Sequence, residues 1–126
     1  MTKQILLVED NAANRKLLCG VLLRAGYEVR EAVNADDGLA LALIESFDLV
    51  VMDIQLPGTD GLTATRVLRA DDQTAHIPVL AVTAHAMRGD ESRIIDAGCA
   101  GYVTKPIDYK SFLNEVDRLL ASSATV

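Results

Sequence analysis

The chain is poor in cysteine, in basic residues and in long apolar runs, and each shortage excludes a class of protein. Its two cysteines, Cys19 and Cys99, fit neither a metal-ligand spacing nor a disulfide framework, so we expect reduced, buried thiols and a cytoplasmic protein. Acidic residues number 18 against 12 basic ones, a net charge of −6, which argues against a nucleic-acid surface because phosphate binding requires a concentrated basic face. No apolar run approaches the ~20 residues of a transmembrane helix, so we expect no membrane insertion. Residues 1–4 lead directly into a predicted strand, so we expect no signal peptide.

The remaining pattern predicts one α/β domain. A chain of 126 residues can bury a proper core but has no room for a second folded unit. Apolar or alternating runs bounded by turn residues predict strands at 5–8, 27–32, 49–53, 78–82 and 101–104. Helical periodicity and capping residues predict helices at about 11–25, 34–44, 59–70, 88–97 and 108–120. We therefore expect a single domain over residues 1–126, with a core of about 3–121 and a loose C-terminal tail.

The character of each strand predicts its place in the sheet. The first, third and fourth strands are continuously apolar and belong in the middle, whereas the second and fifth alternate and belong at the edges. Strict strand–helix alternation means a parallel sheet covered on both faces. The doubly wound, flavodoxin-like (βα)5 order 2-1-3-4-5 satisfies both conditions, with its switch point between the first and third strands. The helix residues expected to face inward are Leu17, Leu18, Val21, Leu22 and Ala25 in the first helix, Leu39, Ala40, Leu43 and Ile44 in the second, and Phe112, Leu113, Val116, Leu119 and Leu120 in the last.

Polar residues follow the strands at the edge where a doubly wound sheet carries its ligand. These residues are Glu9, Asp10, Asp53, Thr83 and Lys105. Crowded carboxylates repel one another unless a cation lies among them, and an all-oxygen ligand set with few carboxylates favours Mg²⁺ over Ca²⁺. A lysine can balance an anion, and a threonine hydroxyl can donate to a phosphoryl oxygen. Together these groups are the parts of phosphoryl transfer to an aspartate.

Four segments then carry a resemblance that covers essentially the whole chain. They are Val-Glu-Asp-Asn at 8–11, Met-Asp-Ile-Gln-Leu-Pro-Gly-Thr-Asp-Gly at 52–61, Val-Thr-Ala-His-Ala-Met at 82–87 and Tyr-Val-Thr-Lys-Pro at 102–106. In this order and at these intervals, the sequence resembles the response-regulator receiver domains of two-component signalling, the CheY-like superfamily. It is most similar to the single-domain DivK type, and receivers of hybrid kinases share the Thr-Ala-His-Ala-Met stretch.

The resemblance implies a role for each residue of the acidic cluster. Asp53 would take a phosphoryl group from a phosphohistidine on a histidine kinase or a histidine phosphotransfer protein. Glu9, Asp10, Asp53 and the backbone carbonyl of Gln55 would hold Mg²⁺, for which Mn²⁺ would substitute. The protein would be no enzyme in the usual sense, but a phosphoacceptor that assists its own phosphorylation and its slow autodephosphorylation.

The resemblance also implies how a phosphoryl group would change the surface. Thr83, Ala84 and Lys105 would bind the phosphoryl oxygens, and the Lys105–Pro106 bond would be cis. Tyr102 would swing inward as Thr83 moves, altering the face formed by the fourth helix, fifth strand and fifth helix. A downstream protein would read that face, with the receiver itself a monomer.

Two further positions would tune the lifetime of the phosphoryl group. In the family, the positions of Gln55 and His85 flank the hydrolytic water and vary. They are therefore expected to affect the lifetime and not to take part in phosphoryl transfer itself.

Other functions fit the residues less well. A dehalogenase-like phosphatase needs a second aspartate where this chain has Gln55, and it needs a capping insert. A flavin or dinucleotide binder needs a glycine-rich loop after the first strand, where Glu9-Asp10-Asn11 stands instead. A degenerate scaffold would lack a site residue, and none is missing. The remaining alternative is an excised receiver of a hybrid histidine kinase. The start of the chain just before the first strand favours a free-standing protein, although a cloned fragment would look the same.

Overall fold

The computed structural model describes residues 2–84 and 90–123 of the chain. Five strands alternate with five helices in the predicted order: β1 Gln4–Val8, α1 Ala12–Arg24, β2 Glu28–Ala32, α2 Ala35–Ile44, β3 Leu49–Asp53, α3 Gly61–Ala70, β4 Val79–Thr83, α4 Asp90–Asp96, β5 Gly101–Thr104 and α5 Tyr109–Ser123. All pairings are parallel, and the strand order is β2-β1-β3-β4-β5. The predicted fold class is confirmed.

The sheet separates two apolar layers, because alternate residues of a strand point to opposite faces. Val50 and Met52 of β3 pack with buried residues of α2, α3 and α4. Leu49 and Val51 pack on the other face with α1 and α5, whose Phe112 is fully buried. The central strands β3 and β4 are buried at every position, as their continuous apolar sequence predicts.

The strand register brings the polar strand ends to one edge of the sheet. Val8 of β1 pairs with Met52 of β3, so the residue after each member of this pair, Glu9 and Asp53, lies at the same level. Farther along the sheet, Asp53 pairs with Val82 and Thr83 pairs with Thr104. The carboxyl ends of four strands therefore lie along one edge of the sheet, beside the switch point between β1 and β3.

The buried face of α2 differs from the predicted one. Leu43 and Ile44 are 52% and 77% exposed and Ala40 is exposed, whereas the buried residues of the helix are Ala35, Gly38 and Ala42. A Cβ on Gly38 would lie 2.8 Å from a methyl group of Val8. The helix thus packs so close to β1 that its small residues face the sheet, while Leu39 and Leu41 pack partly buried against the core at its sides.

The ends of the helices differ from prediction by a few residues. In α1, Leu18 and Leu22 are buried, but Leu17 and Ala25 are exposed. Helix α3 begins at Gly61 because the Asp60 side chain caps it. Helix α5 continues to Ser123, beyond the end predicted at about residue 120. The predicted start of the fourth helix at Arg88 lies outside the described residues. None of the described helices has both the length and the apolar composition needed to span a bilayer.

Candidate functional site

Three carboxylates meet where β1 and β3 end. Glu9 and Asp10 follow β1, and Asp53 is the last residue of β3. One oxygen from each residue lies within 4.8 Å of the others. Glu9 and Asp53 are only 1% and 2% exposed, whereas Asp10 is exposed. The predicted acidic cluster is therefore brought together, with two members inside and one at the surface.

Lys105 places a positive charge against the two buried carboxylates. Its Nζ lies 3.2 Å from Asp53 Oδ2 and 3.4 Å from Glu9 Oε1. The backbone N–H of Lys105 donates to the Thr83 carbonyl at 2.8 Å, and the Lys105–Pro106 peptide bond is cis. Burial alone would lower the pKa of Lys105, but attraction by Asp53 and Glu9 outweighs it and raises that pKa.

Glu9 is the residue of the acidic cluster whose ionised form is disfavoured by its surroundings. Burial, together with the neighbouring Asp53 carboxylate, raises the pKa of Glu9 to about 7, against the opposing effect of Lys105. Apart from its ion pair with Lys105, neither carboxylate oxygen of Glu9 has a hydrogen-bond partner among the described residues. Burying a carboxylate with so few partners is costly, and a further cation would offset part of that cost. Three carboxylates within reach of one another therefore fit a hard divalent cation such as Mg²⁺.

Gln55 joins the acidic cluster to the end of β4. Its backbone N–H donates to Asp53 Oδ1 at 2.9 Å. Its side-chain Nε2 donates to Thr83 Oγ1 at 3.1 Å, and its Oε1 accepts from the Ala84 N–H at 3.0 Å. Sequence reasoning assigned Gln55 a backbone role and an effect on lifetime, but it missed these side-chain contacts.

Arg15 is a second residue whose contact the sequence did not indicate. Its Nη1 donates to the Glu9 carbonyl at 3.0 Å. This bond ties the first turn of α1 to the loop that carries Glu9 and Asp10. Nothing in the residue pattern distinguishes Arg15 from the exposed cations near it, such as Lys16.

Tyr102 lies on β5, half-buried, at the side of the site that faces α4. Its hydroxyl donates to Glu91 Oε1 at 2.6 Å, and this bond raises the pKa of the tyrosine. Tyr102 also packs against the apolar layer under α4. Of the other predicted residues, Thr83 is buried and reaches the acidic cluster through Gln55, whereas His85 lies outside the described residues.

Comparisons of the sequence and of the structure with known proteins agree with one another over most of the chain. The response regulator receiver domain family matches residues 5–117. The polar-differentiation response regulator DivK of Brucella anthropi is 43% identical over 98% of this chain and 100% of its own length. A CheY-like receiver domain protein from Methanospirillum hungatei superposes with a TM-score of 0.91 at 27% identity, covering 98% of both chains. The receiver domain of the sensor histidine kinase PA1611 from Pseudomonas aeruginosa, solved with magnesium in its active-site cleft, has a TM-score of 0.89 at 31% identity and covers 96% of this chain and 99% of its own.

Proposed function

The chain belongs to the response regulator receiver domain family, and from that premise we propose that Asp53 accepts a phosphoryl group from a phosphohistidine. The donor would be a histidine kinase or a histidine phosphotransfer protein. The observation that carries this proposal is the convergence of three carboxylates with one lysine, whose Nζ lies 3.2 Å from Asp53. A receiver is a signalling domain, so its product is an altered surface and not a released compound.

A divalent cation completes the proposed site. Glu9, Asp10, Asp53 and the Gln55 backbone carbonyl would hold Mg²⁺, or Mn²⁺ in its place. The oxygens of Glu9, which accept no hydrogen bond among the described residues and contact only the Lys105 ammonium as a cation, support this assignment, because a divalent cation would neutralise more of their charge. Bound there, Mg²⁺ would offset the negative charge on the transferring phosphoryl group.

Each residue of the proposed site has its own role in the phosphoryl transfer. A carboxylate oxygen of Asp53 forms the new bond to phosphorus while the bond from phosphorus to the donor imidazole breaks. Lys105 remains beside the site and balances the added charge. The Thr83 hydroxyl and the Ala84 N–H donate to phosphoryl oxygens. Gln55 and His85, beyond the acceptor and the threonine, affect how long the aspartyl phosphate lasts.

Phosphorylation would act on partners through the face formed by α4, β5 and α5. A phosphoryl group adds nearly two negative charges and three acceptor oxygens, so it favours a conformation in which Thr83 moves toward it. Tyr102 would follow by leaving Glu91 and turning inward. A downstream protein would bind the changed face of the monomeric receiver. We place this exchange in the cytoplasm, where the free thiols Cys19 and Cys99 stay reduced.

Intact-mass measurement tests the phosphoacceptor. Wild-type protein incubated briefly with Mg²⁺ and acetyl phosphate should gain the mass of one phosphoryl group, and EDTA should prevent the gain. The D53N variant should gain nothing, whereas D72N, which removes an exposed loop carboxylate, should behave as wild type. Modification of D53N, or modification that persists in EDTA, would contradict the proposal.

A second candidate keeps the same chemistry but places the domain in a longer protein. The likeness to the PA1611 receiver, at 31% identity over 96% of this chain, favours the receiver of a hybrid kinase as that alternative. An immunoblot of the source cells with antibody against this domain separates the two. A band near 13.5 kDa indicates a separate protein, and a much larger band indicates a hybrid kinase.

A further inference from the structure

The side chain of Gln55 is hydrogen-bonded to the two groups that would bind a phosphoryl group, the Thr83 hydroxyl and the Ala84 N–H. Its amide donates to the Thr83 hydroxyl oxygen and accepts from the Ala84 N–H. These contacts cross 28 and 29 residues of sequence and bridge the loops after β3 and β4. The same residue touches the Asp53 carboxylate through its backbone N–H.

The contact with Ala84 excludes a phosphoryl contact at the same atom. A backbone N–H has one proton, and here that proton points to Gln55 Oε1 at 3.0 Å. A phosphoryl oxygen on Asp53 can accept it only after the Gln55 amide has left. The bond from Gln55 Nε2 to Thr83 Oγ1 further fixes the threonine side chain in its present orientation. Release of both bonds is therefore a cost of reaching any conformation in which Thr83 and Ala84 bind phosphate.

We propose that the Gln55 side chain is a latch that holds Thr83 and Ala84 in the resting conformation and competes with the phosphoryl group for them. This inference rests on the proposed phosphorylation of Asp53. Glutamine suits the role because its amide carries both a donor and an acceptor, and both are used here. Gln55 is a positioning residue: it acts on the phosphoryl-binding groups without joining the transfer.

The latch predicts that its loss favours the bound state. Each hydrogen bond between neutral groups contributes a modest net free energy, and both bonds lie near solvent. Removal of the pair should therefore tighten binding of a phosphoryl mimic by about three- to tenfold, because the competent conformation becomes more populated. Affinity for Mg²⁺ alone should change less than affinity for the phosphoryl mimic, since the proposed metal contact of Gln55 is its backbone carbonyl and not its side chain.

The experiment compares five proteins: wild type, Q55M, Q55A, Q73M and D53N. Methionine keeps the length of glutamine without its hydrogen bonds, alanine removes the side chain, and Q73M makes the same exchange at an exposed position of the loop before β4. Calorimetry measures the Kd for Mg²⁺ alone and then for beryllofluoride in saturating Mg²⁺. NMR measures solvent exchange of the Ala84 amide without beryllofluoride. We expect tighter beryllofluoride binding and faster Ala84 exchange in Q55M and Q55A only.

The outcomes separate the latch from the proposed function. Beryllofluoride binding in Q55M and Q55A that is equal to or weaker than in wild type would overturn the latch, as would unchanged Ala84 exchange. A merely structural role would weaken the affinities for Mg²⁺ and beryllofluoride together. If wild type bound beryllofluoride but D53N bound it equally well, the phosphoacceptor assignment would fail first, and the latch with it.

Discussion

At the scale of single residues, the position of Asp53 depends on how closely α3 approaches the end of β3. A Cβ on Gly61 would lie 2.2 Å from the Asp53 carbonyl oxygen and 2.9 Å from Ile54 Cα. Both neighbours are backbone, which cannot rotate away. We expect G61A to lower the free energy of unfolding by about 2–4 kcal/mol, measured by urea denaturation, and to weaken Mg²⁺ binding by displacing Asp53.

Gly20 supplies the matched control for that substitution. It lies inside α1, and a Cβ there would meet nothing within 4 Å. G20A should raise the free energy of unfolding by about 0.5–1 kcal/mol, because alanine favours the helix over glycine. Equal responses of the two variants would mean that the close approach at Gly61 is not what constrains it.

Glu9 should make the stability of the metal-free protein depend on pH. Its pKa in the folded protein is about 7 against an ordinary value of 4.5, so the folded state keeps a proton that the unfolded chain releases. The contribution of Glu9 to stability is therefore fully present below about pH 4.5 and is lost as the pH rises through about 7. The full loss is about 3 kcal/mol.

Urea denaturation in EDTA between pH 5.5 and pH 8 measures this dependence. E9Q should remove most of the slope, because the amide cannot ionise. E28Q changes a glutamate that is exposed on β2 and should keep the slope. A slope that persists in E9Q would assign the titration to another group.

The sequence predicted the residues of the acidic cluster but not all of their contacts. Glu9, Asp53 and Lys105 were found because each stands at a strand end, and parallel strands bring those ends together. The side-chain contacts of Gln55 were not predicted, because they depend on the course of two loops and on one rotamer. The periodicity of a sequence predicts neither the course of a loop nor the rotamer of a side chain. The same reason applies to Arg15 and its bond to the Glu9 carbonyl.

At the scale of elements, α2 shows where pattern reasoning fails. The helix reads Ala-Asp-Asp-Gly-Leu-Ala-Leu-Ala-Leu-Ile, with apolar residues on more than one side, so periodicity alone does not choose a buried face. Of the residues expected inside, Leu39 does pack partly buried against the core, but Ala40, Leu43 and Ile44 are exposed. The close approach of Gly38 to Val8 turns the small residues of the helix toward the sheet. In α5 the single stripe of Phe112 and Val116 left no choice, and that face is confirmed.

The buried face of α2 can be tested with a pair of lysine substitutions. I44K places a charge where the side chain is 77% exposed, and it should change the free energy of unfolding by less than about 0.5 kcal/mol. A42K buries an unpaired charge against the sheet, and it should cost about 3–5 kcal/mol or prevent folding. Thermal denaturation followed by circular dichroism measures both. A larger loss in I44K than in A42K would restore the original prediction.

At the scale of the whole molecule, the folded protein buries more negative than positive charge at one edge of its sheet, which opposes folding. Two carboxylates are buried at the switch point with one lysine between them, in a chain of net charge −6. The apolar layers on both faces of the sheet must supply the free energy that holds these groups together. A cation that binds only the folded site would return part of that free energy through linkage.

Stability should therefore rise with the concentration of Mg²⁺. Above the Kd, each tenfold increase in free Mg²⁺ should add about 1.4 kcal/mol to the free energy of unfolding, measured at pH 7.5 against NaCl of equal ionic strength.

Asp10 provides the decisive variant because its side chain is exposed. D10N should leave the metal-free stability nearly unchanged while removing most of the rise with Mg²⁺, whereas D72N should keep it. If D10N lowered stability equally with and without Mg²⁺, Asp10 would matter to the fold and not to the metal. If NaCl matched the effect of Mg²⁺, general screening of the acidic surface would explain it and no specific site would be needed.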